Sequence, residues 1–261
     1  MMKLTFVLVL GLSSLRTAGA QQIPDPCASL KRERHDIEAV LRDFPNLARY
    51  RDADANLGAP ANGESRVVFL GDSITEGWDL SDFFTGKPYV NRGISGQTTS
   101  QILLRFRQDV IALKPEIVVV LAGTNDIAEN MGPISPEAIE DNLMSMVELA
   151  QKNGIRPILA SVLPAAAYPW RPEIQPIEKI AVLNRWIKAY AAKEGIGYLD
   201  YYAAMVDEKH GIKAEWSSDG VHPNQAGYAV MAPLAADAIA KAKAPKQPPM
   251  PNSSSHDEVI R

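Results

Sequence analysis

Asp219 and His222 stand three residues apart in Ser-Asp-Gly-Val-His-Pro, and Ser73 stands far upstream in Gly-Asp-Ser. A serine hydroxyl is a weak nucleophile that needs a base at hydrogen-bond distance. Near neutral pH an imidazole suits that task. The chain has four histidines: His35 in a charged N-terminal stretch, His210 in Lys-His-Gly, His222, and His256 near the C-terminus. Only His222 falls where the edge of a sheet is expected. Asp219 is near enough for its carboxylate to reach the second ring nitrogen, fix the tautomer and steady an imidazolium. An oxyanion would need preorganised donors. Gly93 in Asn-Arg-Gly-Ile-Ser-Gly offers a backbone N–H with no side chain in the way, Asn125 in Gly-Thr-Asn-Asp offers an amide, and the Ser73 N–H at a helix start is a third. The chemistry such a set could perform is acyl transfer.

Each fragment alone has an ordinary reading. Asp and Ser are common helix N-caps, Gly93 and Gly96 suit turns, Asn125-Asp126 could be a plain turn, and Asp219 to His222 could be a capped helix entry. What must bring them together is the alternation of the elements between them. Apolar, β-branched runs at 67–70, 117–121, 157–161 and 197–200, with a weaker one at 89–91, alternate with helix-like segments at 101–113, 136–152, 177–193 and 224–241. Strands that are apolar throughout are covered on both faces. The pattern predicts an α/β fold: a three-layer α/β/α sandwich around a five-stranded parallel sheet of flavodoxin-like order. Ligands of such sheets bind at the carboxyl ends of the strands, and the four polar stretches follow strands or precede the last helix. Their joint occurrence, in order, carries the argument.

With these blocks the chain resembles the SGNH (GDSL-type) serine esterase superfamily: Ser73 in Gly-Asp-Ser-Ile, Gly93 in Asn-Arg-Gly-Ile-Ser-Gly, Asn125 in Gly-Thr-Asn-Asp, and His222 with Asp219 in Asp-Gly-Val-His-Pro. The likeness spans residues 66–240. It implies a Ser73–His222–Asp219 triad working through an acyl-enzyme, and an oxyanion hole of the Ser73 N–H, the Gly93 N–H and the Asn125 amide. Ile74 replaces the Leu of the older motif, an apolar exchange. The absence of Gly-x-Ser-x-Gly argues against the other large serine-hydrolase fold. Gly-Ile-Ser-Gly-Gln-Thr-Thr and Leu-Pro-Ala-Ala-Ala-Tyr-Pro-Trp are similar to stretches of exported bacterial acylhydrolases grouped with carbohydrate O-acetylesterases. That implies a short-chain ester substrate, O-acetyl groups on carbohydrate first. Lysophospholipase, acyl-thioesterase and acyltransferase activities on the same scaffold stay open.

Substrate contacts are expected from Trp78, just past the serine, from Val221, and from the Pro-rich stretch 164–176. There Tyr168 and Trp170 could stack on a sugar ring and Arg171 could pair with an anionic group; Trp78 and Trp170 could equally be core or loop anchor. With one cysteine and no His/Glu pair at ligand spacing, neither a metal nor another cofactor is expected, and no internal disulfide can form.

Residues 1–20 combine Lys3, a short apolar run and Ala-Gly-Ala, which reads as a cleavable signal peptide and implies a secreted or periplasmic protein. Cleavage would remove Lys3 and Arg16, taking the formal charge from −4 to −6. Such a balance excludes clustered cations for nucleic acid, and no stable membrane association is expected after cleavage. The partner is a small-molecule or glycan ester. Leu30, Ile37, Val40, Leu41 and Phe44 are spaced for an amphipathic helix ended by Pro45, so 21–65 reads as a helical extension packed on a core of 66–243, with 244–261 a disordered tail.

Overall fold

A computed structural model describes residues 43–244 and, ahead of them, the helical positions Arg34, Ile37, Glu38, Leu41 and Arg42. The expected signal peptide and residues 245–261 lie outside the described residues. Among those helical positions Glu38 pairs with Arg34 and Arg42 at i±4 spacing. A separate compact unit begins at Asp43, so residues 43–65 share a unit with the sheet.

Five strands, β1 (Val67–Gly71), β2 (Tyr89–Gly93), β3 (Ile117–Leu121), β4 (Arg156–Ala160) and β5 (Gly197–Leu199), form one sheet in the order β2-β1-β3-β4-β5. Every pairing is parallel. The helices are α1 (Arg51–Leu57), α2 (Ser73–Glu76), α3 (Leu80–Phe83), α4 (Thr99–Asp109), α5 (Thr124–Ile127), α6 (Pro136–Lys152), α7 (Pro176–Glu194), α8 (Tyr201–Met205) and α9 (Gln225–Lys243). Alternate strand side chains serve different layers, as the period of two requires. Val68, Leu70, Val118, Val120 and Leu159 pack with Phe106 of α4, Leu143 of α6 and Leu183 of α7. Val67, Phe69, Ile117, Val119 and Ile158 pack with Leu80 of α3, Met205 of α8 and Met231 of α9. The three-layer reading of the sequence holds.

Helix boundaries follow local chemistry. Thr98 and Gln101 form a capping box at α4. Ser135 caps α6 with Pro136 at its first position, and α7 likewise starts with proline and stops at Gly195 in the left-handed conformation. The short helices α1, α2, α3, α5 and α8 lie outside the helix-like segments read from the sequence, because one or two turns carry too little periodicity to detect. Among the described residues no helix is long and apolar enough to cross a membrane.

Register places the site. Gly71 pairs with Gly93 on one side and Leu121 on the other, so three strands end on one level. The chain leaves that level into Ser73, into Ser95-Gly96 and into Gly123–Asn125.

Candidate active site

The turn from β1 into α2 is too tight for a side chain at its hinge. A Cβ on Gly71 would stand 2.5 Å from the Leu121 carbonyl oxygen and 2.2 Å from Thr75 Oγ1. Asp72 then caps α2, its carboxylate accepting from the Ile74 N–H at 3.0 Å, and Ser73 becomes the first helical residue. The Ser73 N–H has no acceptor among the described residues. Its Oγ lies 2.8 Å from His222 Nε2.

His222 is held by a turn that Asp219 organises. One carboxylate oxygen accepts from Ser217 Oγ at 3.1 Å, the Val221 N–H at 2.9 Å and the His222 N–H at 2.8 Å. The other lies 2.7 Å from His222 Nδ1. Gly220 takes the positive φ of +79° that the turn needs. Burial works against the Asp219 charge, but the hydrogen bonds from the His222 ring and the two N–H groups outweigh it and hold the carboxyl well below its usual range. An ionised carboxylate only accepts, so Nδ1 carries the proton and the Nε2 lone pair faces Ser73.

Asn125, in α5 and 3% exposed, stands beside this line. Its Nδ2 donates to the Gln97 carbonyl at 3.0 Å and, at 3.3 Å, toward Asp72 Oδ2; its Oδ1 accepts from Asn130 Nδ2 at 2.7 Å. The Asp72 carboxyl is fully buried, and desolvation pushes it up to about 7 despite the Ile74 hydrogen bond and the nearby His222. Asp126, next to Asn125, plays a separate part: it accepts the Thr99 N–H and hydroxyl and pins the start of α4.

Gly93 departs from the expectation. Its N–H is bonded to Asn91 Oδ1 at 2.8 Å, while the Asn91 amide also donates to the Thr75 and Trp78 carbonyls at the end of α2. A Cβ on Gly93 would stand 2.0 Å from Glu76 N. The residue is a packing glycine that lets α2 lie against β2. Three residues later, Gly96 is exposed at φ +78°, with open space around it and no acceptor for its N–H among the described residues. The loop holding it is pinned at Ser95 by Glu76 and at Gln97 by Asn125 and Arg105.

Four of the five expected substrate contacts are also relocated. Trp78 is 3% exposed, stacked on Tyr228 at 5.4 Å and edge-on to Phe69, because α9 closes over it. Tyr168 is fully buried, its hydroxyl without a partner among the described residues. Val221 is buried in the core and contributes its N–H to Asp219. The Arg171 guanidinium is occupied by Glu173 at 2.7 Å and the Glu129 carbonyl at 2.9 Å. Trp170 alone is open, 39% exposed, with its ring 5.8 Å from that of His222 and 5.2 Å from Tyr168. Its Nε1 donates to Asn130 Oδ1 at 3.0 Å. Asn91 and Asn130 escaped the sequence reading. Asn-x-Gly spacing at 91–93 was a legible signal for the first; Asn130 had none, being defined by its partners. Among the described residues no three His, Cys, Asp or Glu side chains cluster to hold a metal.

Fold and site together define an ester hydrolase of the three-layer α/β kind. Residues 69–230 match the model of the GDSL-like Lipase/Acylhydrolase family, and the chain belongs to that family. It is similar to a GDSL-like lipase of Bacteroides thetaiotaomicron, 49% identical with a TM-score of 0.74, over 76% of this chain and 99% of the other. An acetylxylan esterase of Geobacillus stearothermophilus is 30% identical over 55% of this chain and 68% of its own. An uncharacterized lipoprotein of Bacillus subtilis is 35% identical over 41% of this chain, which spans 52% of that relative's length.

Proposed function

We propose that the protein is an exported serine esterase that removes short acyl groups, acetyl first, from carbohydrate, through a Ser73–His222–Asp219 triad. The observation that carries this is the aligned pair of contacts, 2.8 Å from Ser73 Oγ to His222 Nε2 and 2.7 Å from His222 Nδ1 to Asp219. Ser73 Oγ attacks the ester carbonyl as His222 Nε2 takes its proton. The oxyanion meets the Ser73 N–H, the Gly96 N–H and the Asn125 hydrogen that otherwise makes the long 3.3 Å contact with Asp72. His222 returns its proton to the leaving alcohol, and water, activated the same way, releases the acid. Trp170, exposed over the His222 ring, supports a carbohydrate leaving group, since an aromatic face stacks on a sugar ring. The acetylxylan esterase relative supports the acetyl group. The N-terminal pattern at 1–20 and the lipoprotein relative support export.

The test is a p-nitrophenyl ester series from two to twelve carbons, beside acetylated xylan and free acetylated sugars, with Ser73→Ala as control. Turnover should be greatest at acetyl and absent in Ser73→Ala. A maximum at eight carbons or more replaces the carbohydrate reading with a lipid one, and an active Ser73→Ala removes the triad.

A further inference from the structure

The Asn125 amide can serve an oxyanion only if its nitrogen, not its oxygen, faces Ser73. The two ends of an amide are nearly the same size, so packing does not choose between them; hydrogen bonds must. A directional chain makes that choice here. An indole N–H donates and never accepts. Trp170 Nε1–H points at Asn130 3.0 Å away, so that end of Asn130 must be its oxygen. The Asn130 nitrogen then faces Asn125 at 2.7 Å, so that end of Asn125 must be its oxygen. The Asn125 nitrogen is left facing Asp72, the side where Ser73 begins, and the Gln97 carbonyl, which only accepts, asks for the same end at 3.0 Å. Both ends of the chain are anchored. Trp170 rests on the fully buried Tyr168. The backbone N–H of Asn130 returns to the Asn125 carbonyl at 3.0 Å, and Arg171 holds the Glu129 carbonyl from the Trp170 loop.

We propose that Asn130 is a positioning residue that, together with the Gln97 carbonyl, fixes which end of the Asn125 amide faces the oxyanion, and that Trp170 sets the direction of Asn130 from the rim. This rests on the reading of Asn125 as an oxyanion donor. The same indole lies over the His222 ring, so an alcohol group packed on it bears on both the base and the oxyanion donor.

Asn130→Asp is the informative substitution. It is nearly isosteric and still accepts from Trp170, but it sets oxygen against Asn125 Oδ1, so the amide either turns over, against the Gln97 carbonyl, or shifts away from its place beside Ser73. With p-nitrophenyl acetate, kcat should fall roughly 10²-fold, close to the 10²–10³-fold typical of losing one oxyanion donor, while KM stays within about threefold. Affinity for a trifluoromethyl ketone, which forms a tetrahedral adduct, should fall in step with kcat. Asn130→Ala frees the amide without reversing it and should lose less, roughly tenfold. Trp170→Phe keeps the ring over His222 and should still lower kcat several-fold. In an Asn125→Ala background Asn130→Asp should cost nothing further. An equal loss there, or an unchanged ketone affinity in Asn130→Asp or, should that variant not fold, in Asn130→Ala, overturns the role of Asn130. Wild-type turnover by Asn125→Ala overturns the oxyanion reading itself and this inference with it.

Discussion

At the scale of single residues, Asp219 does two jobs with its two oxygens. One closes the turn by accepting three hydrogen bonds, and the other meets the imidazole. Asp219→Asn separates the jobs. The amide oxygen keeps the turn, while the amide nitrogen presents hydrogen to Nδ1 and favours the tautomer that cannot accept from Ser73. Turnover of p-nitrophenyl acetate should fall by roughly 10³–10⁴ with the thermal midpoint nearly unchanged, by analogy with the same exchange in a Ser-His-Asp triad. Loss of less than tenfold would show that His222 works without its carboxylate.

Elements decide where those residues can stand. The exits of β1, β2 and β3 lie level because their register pairs Gly71 with Gly93 and with Leu121. Arg105 of α4, fully buried, ties two of them by donating to the Gly71 and Arg92 carbonyls, its charge met by Asp109 at 2.9 Å. The Gly71 carbonyl also accepts from the Ile94 N–H at 3.0 Å, so the guanidinium is a second donor there, and through it the ends of β1 and β2 share one buried hydrogen-bonding partner. Glycines fit α2 into the remaining gap. In Gly93→Ala the new Cβ meets the backbone of Thr75 and Glu76, which has nowhere to retreat. The urea midpoint should drop by the equivalent of about 1–3 kcal/mol or more, and esterase activity should fall with it because α2 starts at Ser73. A variant of wild-type stability and activity would refute the packing account.

The whole molecule adds a strap and a buried acid. The segment from Asp43 through α1 crosses α4 and the β2 edge. Gln97, Gln101 and Gln108 donate to its carbonyls, Tyr50 bonds the Gly93 carbonyl, and Asp54 pairs with the buried Arg92 at 2.6 Å. The exit of β2 at Gly93 and the loop at Gln97 are thereby braced from outside the sheet. Asp72 gives global stability a pH dependence of its own. Burial raises its folded value to about 7, above the unfolded value of 3.8, so folding favours the protonated form. Its contribution is fully present below about pH 4, declines as pH rises, and is lost above about pH 7. Between pH 5 and pH 8 the urea midpoint of the wild type should therefore fall relative to that of Asp72→Asn. Parallel pH profiles would mean that the carboxyl is not desolvated in solution.

The order of the strands and long helices, the doubly covered sheet and the residues able to form a hydroxyl–imidazole–carboxylate line were all legible in the sequence. Those features depend on local properties: uninterrupted β-branched runs, prolines and capping residues at helix starts, and a chemistry that only a few side chains can perform. Three-dimensional packing decided which groups are free to act. By sequence Gly93 is an open donor, yet its N–H is bonded to Asn91; by sequence Trp78 suits a pocket wall or the core, and Tyr228 stacked upon it decides for the core. The Asn125 amide is bonded at one end by the Gln97 carbonyl and at the other by Asn130, which in turn meets Trp170 40 positions further on. Whether a donor or an aromatic face is spent or available depends on distant chain that comes to rest against it, and no local pattern records that.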